Sequence, residues 1–105
     1  MSIRKTFYPK KGVYRVFFTL PESLTDHVKK VAIVGDFNEW HPDKHPMKKT
    51  NSGKFEFTLE LPVGKDYQFR YLLNSYKWES DIDADELVPT PFPDVYNSVI
   101  KCSLP

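Results

Sequence analysis

The segment from Lys54 to Asn74 constrains the fold more than any other part of the chain. It reads KFEFTLELPVGKDYQFRYLLN. Phe55, Phe57, Leu59 and Leu61 alternate with Glu56, Thr58 and Glu60, the period-two pattern of a strand with one face in a core and the other in water. Pro62-Val63-Gly64 interrupts it with turn residues. The alternation then resumes, with Tyr67, Phe69, Tyr71 and Leu73 inward and Gln68 and Arg70 outward. Two long amphipathic strands need a second apolar surface to cover them, and the rest of the chain offers one. Tyr14, Val16, Phe18 and Leu20 share a face, and Pro21 ends that strand. Val31 to Val34 is a continuous apolar run, suited to a strand buried on both sides, and Gly35 stops it. Lys77-Trp78-Glu79 offers a brief pairing segment, and YNSVIKC a last strand. Helical evidence is limited to one short turn within residues 21–30. Pro89, Pro91 and Pro93 exclude their stretch from a central strand and make it an extended surface crossing. The expectation is an all-β chain, an antiparallel β-sandwich of immunoglobulin-like size with about seven or eight strands.

Length and composition narrow the function. The 105 residues make a single domain, 1–105, far short of the roughly 200 residues of a barrel enzyme. Fifteen Lys and Arg against fourteen Asp and Glu leave a net charge of +1, which gives no bulk attraction to nucleic acid or to a lipid surface. The lone Cys102 forms no internal disulfide and reads as a packing residue. No apolar run suits a signal peptide or a membrane span, so the expected compartment is the cytoplasm.

Catalytic and metal motifs are missing. The chain holds no Ser-His-Asp order, phosphate loop or HExxH, and a sandwich of this size has no deep cleft for two facing carboxylates. In ESDIDADE, residues 79–86, Asp81, Asp83 and Asp85 alternate as in a calcium loop. Glu86 and Phe92 stand where that loop needs Gly and Glu, so the run reads as a solvated acidic loop. His41 and His45 in HPDKHP have no further ligands near them in sequence, so no zinc site is expected. No cofactor or metal is implied.

The two tryptophans carry the chemistry. Trp40 ends the polar turn GDFNEWHP, and Trp78 lies in NSYKWES. Each follows a strand end among polar residues, while Phe37 and Tyr76 read as packing residues near each site. The bland alternative is that Trp40 folds back as a lid on the core. The functional one is a pair of indole platforms that cover the C–H faces of pyranose rings, with polar side chains satisfying the hydroxyls. Arg70 points out of its strand, and from pattern alone it is a solvated charge paired with Glu56 or Glu60.

The strings VAIVGDFNEW, PMKKTNSGKFEFTLELPVGKDYQFRYLLN, KWES and YNSVI, in that order, resemble the early-set, immunoglobulin-like domain that precedes the catalytic barrel of isoamylases and glycogen-branching enzymes. The chain is similar to the family 48 carbohydrate-binding modules, including the glycogen-binding domain of the AMP-activated protein kinase β subunit. It looks closest to small bacterial proteins made of this domain alone. The resemblance implies a non-catalytic module for α-1,4-linked glucan (glycogen or maltooligosaccharide). Trp40 and Trp78 would stack on glucose rings, Arg70 and Asn97 would bind hydroxyls, and Lys77 would assist. The chain departs from the kinase-type binders just before Asn97, where Phe92-Pro93-Asp94-Val95-Tyr96 replace a stretch with a Leu and a Thr. That departure favours a rival reading, a scaffold module docking on a glycogen-metabolising enzyme or a kinase without sugar affinity of its own. For the sugar reading, covering a third of an indole's roughly 200 Å² at ~25 cal/mol/Å² gives about 1.5–2 kcal/mol per Trp. With a few hydrogen bonds, less ordering costs, the dissociation constant falls between roughly tens of micromolar and about 1 mM.

Overall fold

The computed structural model describes residues 2–104. Two antiparallel sheets face each other across one core. The first sheet contains β1 (Ile3–Tyr8), β2 (Val13–Thr19), β5 (Phe55–Pro62) and the short β4 (Lys48–Lys49), in the order β1-β2-β5-β4. The second runs β3-β6-β9-β8, from β3 (Val31–Gly35), β6 (Lys65–Leu73), β9 (Tyr96–Cys102) and β8 (Glu86–Pro89). A further strand, β7 (Lys77–Glu79), pairs with the far end of β6. The β-sandwich is as the alternation predicts, with nine strands among the described residues. Glu22–Leu24 form the one expected short turn, a 3-10 helix.

The register explains the core. Val16 lies opposite Leu59, Phe18 opposite Phe57 and Tyr14 opposite Leu61, so the apolar faces of β2 and β5 merge. Across from them sit Ile33, Tyr67, Phe69, Tyr71, Leu73 and Ile100 of the other sheet. Phe69 meets Phe18 and Tyr71 edge-on, with ring centroids 5.3 and 5.5 Å apart, a favoured aromatic geometry. Cys102 is buried in the same cluster, and burial pushes its thiol up to about 11, which keeps it protonated and inert as packing. The Tyr67 hydroxyl donates to the Pro62 carbonyl at 2.7 Å and closes the β5–β6 turn.

Two interactions seal the sandwich where strands run out. Past the Glu86 end of β8, which lies opposite Val99, the backbone of Lys101 has no ladder partner on that side. Its N–H donates to the Asp85 carboxylate at 2.8 Å, and its carbonyl accepts from the Lys5 ammonium at 2.8 Å. Lys5 and Asp85 pair at 2.7 Å, so an ion pair replaces the missing strand.

The acidic loop is not the solvated one its composition suggests. Asp81 is completely buried. Its carboxylate accepts from the Tyr71 hydroxyl at 2.7 Å, the Ser2 hydroxyl at 2.7 Å and the Asp83 N–H at 2.9 Å. Hydrogen bonding thus satisfies a charge that would otherwise be costly to bury, and it fastens the start of the chain and the 80–86 loop to the core. Burial first, and then the charge of Asp81 and the hydrogen bond to it, hold the Tyr71 phenol well above its ordinary range.

Asp81→Ala strands the Tyr71 and Ser2 hydroxyls, and should cost about 2–4 kcal/mol. Urea denaturation checks this: the midpoint should fall with the slope unchanged. A shift under about 0.5 kcal/mol would show that Asp81 does not fasten the loop.

Candidate functional site

The turn after β3 is built by close approach and then by side-chain bonds. Gly35 lies so near β6 that a Cβ there would stand 2.6 Å from the Phe69 Cβ and overlap the Gln68 carbonyl oxygen. Only glycine allows this approach. Asp36–Asn38 then form a single 3-10 turn. The buried Asn38 accepts from the Gly35 N–H at 3.0 Å and donates to the Ile33 carbonyl at 3.0 Å. Phe37 packs inward against Phe18, Phe69 and His45, as expected of a packing residue.

Glu39 and Trp40 follow with φ of 57° and 59°. Two consecutive left-handed non-glycine residues cost roughly 1–2 kcal/mol each. Bonds from Trp40 hold this conformation. Its backbone N–H donates to the Gly35 carbonyl at 2.9 Å, and its indole Nε1 donates to Asp36 Oδ1 at 2.9 Å. Asp36 Oδ2 accepts from the Gln68 N–H at 2.8 Å. One carboxylate therefore fixes the indole and ties the turn to β6. Trp40 is half-buried and lies outside the core cluster.

Arg70 sits where β6 changes partner. β9 pairs with β6 from Lys65 to Phe69, and β7 takes over from Tyr71 to Leu73. On the other side Arg70 lies opposite Val34 of β3. Its guanidinium carbon is 5.8 Å from the Trp40 ring centre and 5.1 Å from that of Trp78, both within cation–π range. Trp78 lies opposite Leu72 and is 41% exposed. The outward face is thus a row of indole, guanidinium and indole. Val34, Leu72 and Val99 lie beside it on that face, buried but apart from the main core, and they form a small apolar floor.

Asn97 belongs to the same face. Continuing the β6–β9 register by one step sets it opposite Arg70. Its Nδ2 donates to Gln68 Oε1 at 3.0 Å. Arg70 Nε and Asn97 Oδ1 are the buried side-chain polar atoms without a hydrogen-bond partner among the described residues. A donor and an acceptor are therefore left uncommitted on this face, Arg70 Nε near both indoles and Asn97 Oδ1 across from it on β9, in the chemistry that a hydroxyl, both donor and acceptor, can complete.

Four of the five residues singled out from sequence come together: Trp40, Arg70, Trp78 and Asn97. Lys77 does not join them. Lys77 and Trp78 are adjacent in a strand and point to opposite faces. Lys77 lies opposite Leu73 and pairs with Glu79 at 3.3 Å. The pairing of Arg70 with Glu56 or Glu60 does not occur either. Glu60 lies on the other sheet, where it binds Arg15 at 2.9 Å and Lys11 at 3.5 Å. Tyr76, expected to pack, is 76% exposed. Sequence reasoning missed Asp36 and Gln68. Gln68 could have been found, since it shares the outward parity of Arg70 two residues earlier.

Comparison with known proteins bears on this arrangement. The family described as carbohydrate-binding module 48 (isoamylase N-terminal domain) matches residues 24–86. A 1,4-alpha-glucan branching enzyme GlgB of Cupriavidus necator is 33% identical over 79 residues, covering 70% of this chain and 10% of the relative. A GlgB 2 of Xanthomonas campestris is 41% identical over 44 residues, covering 41% of this chain and 6% of the relative. A GlgB of Rhodopseudomonas palustris is 37% identical over 59 residues, covering 55% and 8%. The chain spans about a tenth or less of the length of these relatives. Among the described residues no helix is long and apolar enough to cross a membrane.

A histidine props the turn that carries Trp40. His45 packs against Phe37 and Phe57, and its Nδ1 lies 2.8 Å from Asn38 Nδ2. Asn38 Oδ1 is taken by the Gly35 N–H, so Nδ2 donates and His45 Nδ1 accepts, which fixes the Nε2–H tautomer. Burial, and secondarily Lys44, hold the imidazole below its ordinary value of 6.5. The unfolded chain therefore takes up this proton first. The stabilisation is complete above 6.5 and is lost as pH falls through the lower folded value. The urea midpoint should decline from about pH 7 to about pH 5, and His45→Phe should flatten that decline. An identical decline in the variant would contradict the assignment.

Proposed function

The chain belongs to the carbohydrate-binding module 48 family, and from that premise we propose that it is a non-catalytic module that binds α-1,4-linked glucan, glycogen or maltooligosaccharide, in the cytoplasm. The observation that carries this reading is the outward row of Trp40, Arg70 and Trp78. The indoles offer flat apolar faces to the C–H faces of glucose. Arg70 donates to hydroxyl oxygens between them, and Asn97 Oδ1 accepts from a hydroxyl. Asp36 supports the platform without touching sugar, because it holds the Trp40 indole at the ring edge by Nε1.

Recognition of this kind is shallow and repetitive, as a polymer of one sugar requires. Much of the site is assembled before ligand arrives. Asp36, the strained turn and the β6 register fix Trp40 and Arg70, so little ordering cost remains. The names of the matching enzymes, 1,4-alpha-glucan branching enzymes, support this sugar class. The match to them reaches only the region of this module, and the proposed chemistry is binding rather than cleavage.

A second reading rests on one specific observation. Phe92 is 70% exposed, and Tyr96 and Leu87 are also exposed, around the β8–β9 loop. Apolar side chains at that edge suit contact with a protein, such as a glycogen-metabolising enzyme.

Tryptophan fluorescence during titration with maltoheptaose and β-cyclodextrin, with a glycogen pull-down, separates the two. The glucan reading expects a saturable change with a dissociation constant between about 10 µM and about 1 mM. Trp40→Ala should abolish the change and the pull-down. No response from folded wild-type protein at several times the upper value would overturn the glucan reading and favour protein docking.

A further inference from the structure

β7 presents two faces, and only one of them belongs to the platform. Trp78 points to the outward face. Lys77 and Glu79 point the other way, toward a cavity of about 400 Å³ between the loop before β3 and the β6–β7 turn. That volume lies within the range of small-ligand sites. Tyr76 also lines it, at 76% exposure, together with Asp26 and His27. An aromatic ring so exposed at the rim of a cavity, beside carboxylates and an imidazole, repeats the platform's chemistry: an apolar plane with hydrogen-bonding groups around it.

The cavity is built rather than incidental. Asn74 crosses its base, where Oδ1 accepts from the Lys29 and Lys30 N–H groups at 2.8 and 3.3 Å and Nδ2 donates to the His27 carbonyl at 3.1 Å. Its own N–H donates to the Lys30 carbonyl at 2.8 Å. Both walls are therefore tied to one side chain. His27, Asn74 and Ser75 have φ of 61°, 52° and 69°. Of the six non-glycine residues with positive φ among the described residues, Glu39 and Trp40 carry the platform indole, His27 and Asn74 line this cavity, and Ser75 lies between its lining residues Asn74 and Tyr76 in the chain. Held strain of this kind gathers where a surface must keep a particular shape.

We propose that the cavity lined by Tyr76, Asp26, His27 and Glu79 is a second glucan-binding site, in which Tyr76 stacks on a sugar ring and the two carboxylates accept its hydroxyls. The inference rests on the glucan reading of the platform and extends it. Tyr76 and Trp78 are two residues apart, so their Cα atoms lie at most about 7 Å from each other. A glucan leaving Trp78 over the β7 edge therefore reaches Tyr76. Occupying two adjacent sites raises the apparent affinity for long chains but not for short ones.

The test is the affinity of wild type, Tyr76→Ala, Tyr76→Phe and Trp40→Ala for maltotriose, maltoheptaose and glycogen, by calorimetry and affinity electrophoresis. Tyr76 is exposed in a turn, so its replacement leaves the fold intact, and circular dichroism verifies this. Tyr76→Ala should leave maltotriose binding within about twofold of wild type and weaken glycogen binding by about five- to tenfold. Tyr76→Phe, which keeps the ring, should behave as wild type. Glycogen binding within twofold of wild type in Tyr76→Ala overturns the second site, while loss in Trp40→Ala still upholds the platform. Loss of glycogen binding in Tyr76→Ala alone, with Trp40→Ala unaffected, makes the cavity the primary site and overturns both the platform and the cavity's role as its extension. No glucan binding by wild type overturns both.

Discussion

The Asp36 carboxylate joins elements that the chain supplies separately. One oxygen holds the indole of a residue four positions on, and the other holds the backbone of β6, thirty-two positions on. The bond to β6 depends on Gly35, whose missing side chain lets the turn lie against Phe69. Once the turn is seated, Trp40 stands beside the outward row of β6, and Arg70 falls between it and Trp78. The platform is thus a consequence of how the first strand of one sheet ends. The cost of two left-handed residues is met by tertiary bonds, which is the usual balance at sites that must keep a shape.

The sandwich itself was legible because amphipathic strands leave a local record. β5 and β6 stand where alternation sets them, β7 and β9 where a brief pairing segment and a last strand were expected, and Pro89 ends an edge strand, the place open to proline. β1 escaped notice for a physical reason. Its inward positions are Ile3, Lys5 and Phe7, as their pairing with Phe18, Val16 and Tyr14 shows. The inward lysine breaks the apolar period, yet an inward charge suits an edge strand. There Lys5 reaches Asp85 and the Lys101 carbonyl, partners 80 and 96 positions away. Asp81 was misread for a related reason. Nothing local distinguishes it from its acidic neighbours, and its burial depends on Tyr71 and Ser2.

The candidate site divides along the same line. Arg70 was placed by parity, and Trp40 and Trp78 by their position past strand ends. Asp36 was hidden because its role appears only when β6 lies beside it. Lys77 was a different kind of error: adjacent strand residues face opposite ways, so Trp78 on the platform already placed Lys77 off it. Tyr76 is turned to solvent by the positive φ of Asn74 and Ser75. Between them these corrections sharpen the geometry, moving one cation and one aromatic from the Trp face to the far side of β7.

The central claim is that Trp40 and Trp78 act together on one sugar surface. Nuclear magnetic resonance of ¹⁵N-labelled protein during titration with maltoheptaose tests it most directly, because each indole Nε1–H gives its own signal. The account predicts that both indole signals and the Arg70 side-chain signal move along one saturation curve, while the amides of β1 and β2 on the opposite sheet stay still. Movement of neither indole, or of signals on the β1–β2 face instead, would contradict it.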